Sequence, residues 1–310
     1  MKRIVIVIPC FNEAERVPAV VDELSTQIDA LDQVEVLLVD DGSTDGTLAV
    51  LRELHERYSF VRYLSFTRNF GKEAAMLAGV NWACRRNAAM LIMDADGQHP
   101  PAIARKMIES FQCGATHVVA QRGRADESRS RRILARVAYG ALGRLVQVQL
   151  VNGQGDFRLL SCDLVAALSG MPERNRFSKG LYSWLGPPDE VIEFDPPADL
   201  ELRRSRWSLR SLLDYSIDGV TSFNDRPLRL ILLTGLAVGV ASVAYLAFML
   251  IAIWRNGVEA PGYVTIIFGV TMLGSLQLIS LGVMGEYIGR ILGEVKDRPS
   301  YLIREETDNR

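Results

Sequence analysis

Cysteine is scarce in this 310-residue chain, with four in all. Cys10, Cys84, Cys113 and Cys162 are too far apart for a C-x-x-C pair or a Cys/His metal cluster. A disulfide scaffold is thereby excluded, and the four read as buried thiols in a reducing compartment. The chain also lacks a G-x-x-x-x-G-K-[ST] loop and a G-x-G-x-x-G turn, so P-loop hydrolysis and dinucleotide chemistry have no support. Neither sign of charge dominates: 35 basic against 37 acidic residues leave a net charge of −2, which offers no general attraction to nucleic acid. There is no internal repeat and no low-complexity segment, and 48% hydrophobic residues rule out a disordered chain.

What the chain does have is an uneven distribution of charge. Its mean hydropathy of +0.10 is high for a sequence that is 23% charged, because two unlike regions are being averaged. No charged residue occurs from Leu230 to Trp254, nor from Ala260 to Gly285. A bilayer core of about 30 Å needs roughly 20 helical residues, so both runs are long enough to span, and the short link Arg255–Glu259 predicts a hairpin. Arg203, Arg204, Arg206, Arg210, Arg226 and Arg229 precede it, and Arg290, Lys296, Arg298 and Arg304 follow. The positive-inside rule then puts both termini in the cytoplasm. Met1-Lys2-Arg3 and the apolar run after it superficially resemble a signal peptide, but the run is too short and Pro9, Asn12, Glu13 and Glu15 follow at once. The expected organisation is a soluble domain over 1–200, a juxtamembrane region over 201–228, two spans within 229–288 (about 230–254 and 262–285) and a cytoplasmic tail over 289–310. Ser208–Ser222 has an amphipathic pattern that predicts an interfacial helix.

The first 200 residues alternate apolar runs with helical patterns. Strands are expected at Ile4–Ile8, Val34–Val39, Val61–Phe66, Ala89–Met93 and Thr116–Ala120, with helices near Glu13–Ile28, Asp45–Tyr58, Lys72–Arg86 and Pro101–Cys113. Asn12 and Glu15 form a plausible N-cap and capping-box pair for the first helix. Such alternation predicts an α/β, doubly wound, Rossmann-like domain whose ligands bind beyond the carboxyl ends of its strands.

Acidic residues gather at those ends: Glu13 after the first strand, Asp40-Asp41-Gly42-Ser43-Thr44-Asp45 after the second, Asp94-Ala95-Asp96 after the fourth. Carboxylates brought together repel unless something cationic or hydrogen-bonding satisfies them. Asp41–Gly46 half matches a calcium EF-hand loop, but the twelfth position is Arg52 rather than a bidentate Glu, which rejects that motif. Asp94 and Asp96, one residue apart, point the same way in extended backbone, and a Mg²⁺ or Mn²⁺ would relieve their repulsion while holding a diphosphate.

The segments V-D-D-G-S-T-D-G-T (39–47), T-R-N-F-G-K-E-A-A (67–75), D-A-D-G-Q-H-P-P (94–101), G-D-F-R-L-L-S (155–161) and G-E-Y-I-G-R-I-L-G-E-V-K-D-R-P (285–299) together resemble the bacterial polyprenyl-phosphate glycosyltransferases. These are relatives of dolichyl-phosphate mannose synthase, and the likeness is to the bactoprenol glucosyltransferase type with two C-terminal membrane helices. The resemblance implies a GT-A fold and inverting transfer of one sugar from a UDP-sugar donor to a polyprenyl phosphate acceptor at a membrane. It implies a nucleotide-sugar pocket lined by Pro9, Phe11, Glu13, Asp41, Asp94, Ala95 and Asp96, and a divalent metal, Mg²⁺ or Mn²⁺, held by Asp94, Asp96 and Gln98. It also implies Asp156 and Arg122 as catalytic residues, and a homo-oligomer, a tetramer in relatives. Gly97 departs from the family pattern, which usually has a bulky apolar residue there, and Arg203–Trp207 is compressed relative to the usual R-x-x-G-x-S-K-[WY] segment.

The residue chemistry suits such a reaction. Arg122, Arg124, Arg129, Arg131, Arg132 and Arg136 crowd into fifteen residues, and guanidinium forks pair bidentately with phosphate oxygens. Arg122, Arg124, Arg131, Arg132 and Arg206 are therefore the candidates for the acceptor phosphate. A phosphate monoester, with its second pKa near 6, is mostly dianionic at about pH 7, so the nucleophile needs little help from a base and Asp156 is free to orient Arg158 or the sugar. Two rival readings remain. A processive polysaccharide synthase would carry Q-x-x-R-W and more spans, whereas Arg203 stands at the Gln position here. A nucleotide-sensing membrane protein would not need a metal pair together with Asp156.

Overall fold

The computed structural model describes residues 3–28, 33–123, 154–171, 173–174, 176–195, 226–256 and 262–307. The expected interfacial helix at 208–222 and Arg124, Arg131, Arg132 and Arg206 lie outside them. The chain runs β1 (Ile4–Cys10), α1 (Val17–Ile28), β2 (Val34–Asp40), α2 (Thr47–Arg57), β3 (Val61–Phe66), α3 (Lys72–Arg85), β4 (Ala89–Ile92), α4 (Pro101–Gln112), β5 (His117–Arg122), β6 (Gln154–Leu160), α5 (Cys162–Ser169), α6 (Ser178–Trp184), β7 (Glu190–Phe194), α7 (Arg226–Asn256), α8 (Tyr263–Val295) and β8 (Ile303–Glu306).

The strands form one sheet in the order β7-β5-β6-β4-β1-β2-β3-β8. Its centre is parallel: β1 pairs with β2 and β4, and β2 with β3. These strands are continuous apolar runs because helices cover both faces. Ile4, Ile6, Ile8, Val36 and Leu38 face a core shared with α1, α2 and α4. Val5, Val7, Leu37 and Val39 face a second core shared with α3, α5 and α6.

Four features of the fold depart from the sequence reading, and so does the expected burial of all four thiols: Cys10 is buried but Cys113 is exposed. The sheet is mixed, since β6 runs antiparallel to both β4 and β5 and β8 antiparallel to β3. Helix α1 begins at Val17, not near Glu13. Asn12 is no cap: its φ is +55°, a conformation Asn tolerates, and its side chain accepts from the Thr44 N–H at 2.9 Å. The expected tail over 289–310 does not stand apart, because α8 continues to Val295 and residues 303–306 form the edge strand beside β3.

The charge-free runs lie on α7 and α8, of 31 and 33 residues, which touch each other. Most of their described apolar side chains are exposed, Trp254 at 86%. Among the described residues no helix is long and apolar enough to cross a membrane, and several side chains of both helices lie outside the description.

One glycine shows how closely the layers approach. A Cβ on Gly79 of α3 would sit 2.3 Å from Val7 Cγ1, and Val7 is fully buried in the central strand. Gly79→Ala should lose about 1–3 kcal/mol through overpacking, measured as a shift in the denaturation midpoint; an unchanged midpoint would show that α3 can slide on the sheet.

Candidate active site

The carboxyl ends of β1, β2 and β4 open on the same edge of the sheet, and hydrogen bonds stitch the loops that follow them. Asn12 N–H donates to Ser43 Oγ at 2.9 Å, Glu13 N–H to Thr47 Oγ1 at 3.0 Å, and Ala14 N–H to Asp45 Oδ2 at 3.3 Å. Pro9 is partly buried at the end of β1. Phe11, 46% exposed, stands on the rim of this lattice. Glu13 pairs with Arg16 at 2.9 Å. Burial pushes the Glu13 carboxyl up, Arg16 pulls it down, and the nearby Asp96 and Asp45 add to the rise.

The Asp40-Asp41 pair is satisfied from within the chain. Asp40 accepts from Ser43 N–H at 3.0 Å and Ser65 Oγ–H at 2.7 Å. Asp41, only 3% exposed, accepts from the backbone N–H groups of Phe70 and Gly71 at 2.7 and 2.9 Å. Burial raises its carboxyl pKa while these two donors oppose the rise. Asp41 therefore holds the turn between β3 and α3.

That turn delivers Lys72, the first residue of α3. Its Nζ lies 2.7 Å from Asp94 Oδ1 and 2.9 Å from Asp156 Oδ2. The sheet register explains why these two carboxylates meet. Ile92 of β4 pairs with Arg158 of antiparallel β6, so Asp94, two residues on, lies across from Asp156, two residues back. Two anions at that place are costly without a cation between them. Burial raises the Asp156 pKa, but Lys72, Lys179 and Arg158 outweigh it and hold the carboxyl below its usual range. The two anions in turn raise the Lys72 pKa against its burial.

Asp94 and Asp96 do not share a pleated strand. β4 stops at Ile92 and the chain turns at Ala95–Asp96. Gln98 N–H closes that turn on Asp96 Oδ1 at 2.9 Å, and Gly97 has φ +80°. This left-handed conformation strongly favours glycine over the bulky residue usual in the family. Ala95, expected to line the pocket, is buried at 4% exposure. His99 braces the loop: its Nδ1 accepts from Asp94 N–H at 2.9 Å, and its ring stacks on Phe157 at 4.4 Å. Burial lowers the His99 pKa, so the ring is neutral with its proton on Nε2, 3.9 Å from Asp94 Oδ2.

Among the described residues no three His, Cys, Asp or Glu side chains gather into an all-protein metal cage. A pair of carboxylates is a different donor set. Asp94 and Asp96 offer hard oxygens on a half-buried turn, which fits a Mg²⁺ or Mn²⁺ that keeps waters and takes phosphate oxygens for the rest of its shell.

The expected partnership of Asp156 with Arg158 is replaced. Asp156 accepts from Lys72, while buried Arg158 donates to Gly155 C=O at 2.6 Å and stacks 3.9 Å over the Tyr182 ring. Arg158 Nη1 also approaches His117 Nε2 at 3.4 Å, and burial together with the Arg158 charge brings the His117 pKa down to about 4. Arg122 is exposed at the end of β5, paired in register with Phe194 of β7. Lys72 and His99 both sit in the motifs quoted above without a role that the sequence reveals; the one local signal is a lysine directly after the N-F-G turn that leads into α3.

The glycosyl transferase family 2 pattern matches residues 5–168, and the GtrB C-terminal hairpin pattern matches residues 226–291. The chain is 43% identical over 301 residues to the protein CsbB of Bacillus subtilis (strain 168), covering 97% of this chain and 91% of that one. It is 37% identical over 306 residues to the SfII prophage-derived bactoprenol glucosyl transferase of Shigella flexneri, covering 98% of each. Among solved structures it is similar to the mannosyltransferase PcManGT of Pyrobaculum calidifontis, at 17% identity and a TM-score of 0.44 over 96% of this chain and 88% of that one. The α/β domain has the GT-A, Rossmann-like fold, and the molecule is a glycosyltransferase. The chain belongs to glycosyl transferase family 2.

Because the folded Asp156 pKa lies below the unfolded value of about 3.9, its pairing stabilises the fold above that pH and fades as pH falls through the folded pKa. Lys72→Met removes the largest opposing charge, so the Asp156 carboxyl should titrate at higher pH, read by carboxyl NMR. An unmoved titration would show that Lys179 and Arg158 set it instead.

Proposed function

We propose that this glycosyltransferase moves one sugar, glucose, from a UDP-sugar to a polyprenyl phosphate such as undecaprenyl phosphate, with inversion, making a lipid-linked sugar donor for the cell envelope. The observation that carries this is the Lys72 bridge between Asp94 and Asp156, at the strand ends where this fold binds ligands. Relatives named bactoprenol glucosyl transferase at 35–37% identity over nearly the whole chain support the acceptor class and the donor sugar.

Pro9, Phe11 and Glu13 form the rim of the nucleotide-sugar pocket in this reading, with Asp41 supporting it from behind. Asp94 and Asp96, with Gln98 beside them, would hold the Mg²⁺ or Mn²⁺. Such an ion supplies, when bound, neutralisation of the charge that develops on the leaving diphosphate. Arg122, with Arg124, Arg131, Arg132 and Arg206, receives the acceptor phosphate. That phosphate is already largely dianionic at neutral pH, and a carboxylate whose pKa is held low makes a weak base. Asp156 accordingly serves as a fixed negative charge: it orients the sugar and stabilises the positive charge that builds at the anomeric carbon. Lys72 lies between Asp156 and Asp94 and holds the Asp156 carboxyl below its usual range.

The bilayer reading draws on the charge-free runs 230–254 and 260–285 and on the exposed apolar side chains of α7 and α8, which no other part of the described chain covers. Water is a poor solvent for that much apolar surface, and lipid suits it. In this organisation residues 1–200 form the cytoplasmic catalytic domain, 201–228 a juxtamembrane region, and the hairpin crosses the inner membrane with both termini inside. Assembly as a tetramer is part of the same proposal.

Membranes containing the protein, given labelled UDP-glucose, undecaprenyl phosphate and Mg²⁺, should transfer label to the lipid fraction, and a chelator should abolish it. No metal-dependent lipid label from any common UDP-sugar would sink the reading. Asp156→Asn should keep measurable transfer with a shallow pH profile; complete loss with intact donor binding would make Asp156 an obligatory base.

A further inference from the structure

The closing motif of the chain has no part in the chemistry above, yet the residues after it reach the catalytic domain. Helix α8 ends at Val295, and its last turn is held to the domain by Arg174, whose N–H donates to Glu294 Oε1 and whose guanidinium meets Asp297, each at 2.9 Å. The chain reverses at Asp297, φ +45°, and β8 adds itself to the outer edge of β3. Thr67 N–H donates to Leu302 C=O at 2.9 Å and Thr307 N–H to Tyr63 C=O at 3.0 Å. Arg52 grips Glu305 through two hydrogen bonds, and Tyr63 Oη donates to the same carboxylate at 2.6 Å.

Between these anchors lies Tyr301. Its ring stacks on Phe66 at 4.9 Å and 18°, and Phe66 meets Phe70 edge-on at 5.8 Å. Its hydroxyl accepts from Asn81 Nδ2 at 3.1 Å, and Asn81 in turn accepts from Ser169 Oγ at 3.0 Å. Phe66 ends β3, Phe70 lies in the turn clamped by Asp41, and Lys72 follows two residues later. Aromatic contacts thus run without a gap from the segment beyond the hairpin to the turn that presents the bridging lysine. Side chains in cores of this density do not deform independently.

We propose that Tyr301 is a positioning residue, and that segment 299–307 is a strap which fixes the β3–α3 turn from behind and so sets Lys72 between Asp94 and Asp156. The proposal rests on the catalytic reading of that trio. It assigns the end of the chain a task in turnover, beyond edge pairing. The ring does the work and the hydroxyl anchors the ring, so Tyr301→Phe retains the contact and Tyr301→Ala loses it.

The test compares wild type, Tyr301→Phe, Tyr301→Leu and Tyr301→Ala in the full-length protein, by two readouts. The first is amide exchange at Phe70 and Gly71, whose N–H groups Asp41 protects; Tyr301→Ala should speed it by about ten-fold. The second is lipid-linked sugar formation, where Tyr301→Ala should lower kcat about ten-fold or more with the donor KM changed less than about three-fold, as expected when reacting groups are misplaced. Tyr301→Phe should match wild type in both. Unaltered exchange at Phe70 and Gly71, or a Tyr301→Phe variant as impaired as Tyr301→Ala, would overturn the strap. If Tyr301→Ala does not fold, Tyr301→Leu, which keeps apolar bulk without a stacking face, carries the same comparison. The exchange readout needs neither substrate, so a wild type that fails to transfer sugar overturns the functional reading and leaves the strap to be judged by itself.

Discussion

The site depends on one ammonium group. A sheet that brings Asp94 and Asp156 together at adjacent strand ends creates a repulsion that the fold must answer, and Lys72 answers it from the first turn of α3. Much else follows from keeping that lysine in place. Asp41 gives up both oxygens to the turn before it, Gly79 lets α3 lie close on the central strand, and His99 fixes the backbone of the opposing Asp94. A lysine is well suited to this task because its charge is compact and its stem flexible; a guanidinium would impose a fork geometry on two carboxylates that come from different strands.

The central strands and their helices were legible because strands buried on both faces become unbroken apolar runs. β1 to β5 fall close to where those runs lie. β6, β7 and β8 carry no such mark. β6 is Gln-Gly-Asp-Phe-Arg-Leu-Leu, an apolar run broken by polar residues, and β8 is Ile-Arg-Glu-Glu, an edge strand whose side chains are largely exposed. The start of α1 was misread because an asparagine ahead of an apolar run looks like a cap, whereas Asn12 takes a left-handed conformation to meet Thr44 in another loop. That contact joins residues 32 positions apart and leaves no local trace.

The site was legible in part for the same reason. Acidic clusters at strand ends are visible in a linear sequence, and Asp94, Asp96 and Asp156 stand at the edge where they were expected to matter. The partners of those acids are not visible. Lys72 lies 84 positions from Asp156; the antiparallel register of β4 and β6 sets Asp156 beside Asp94, and the turn into α3 places Lys72 between them. Arg158 looked like a partner for Asp156 because it is two residues away on one strand; in three dimensions the buried guanidinium is occupied by the Tyr182 ring and the Gly155 carbonyl.

The edge strand β8 has a consequence for how the protein comes into being. Ribosomes deliver β3 before the apolar helices and residues 303–307 only after them. Throughout synthesis the outer edge of β3 offers unpaired backbone groups, the kind of edge that invites pairing with other chains. Domains ordinarily complete their folding from the N-terminus as they emerge. This one cannot close its sheet until the apolar helices have left the ribosome, so maturation of the catalytic domain is ordered after delivery of the hairpin by the connectivity of the chain itself.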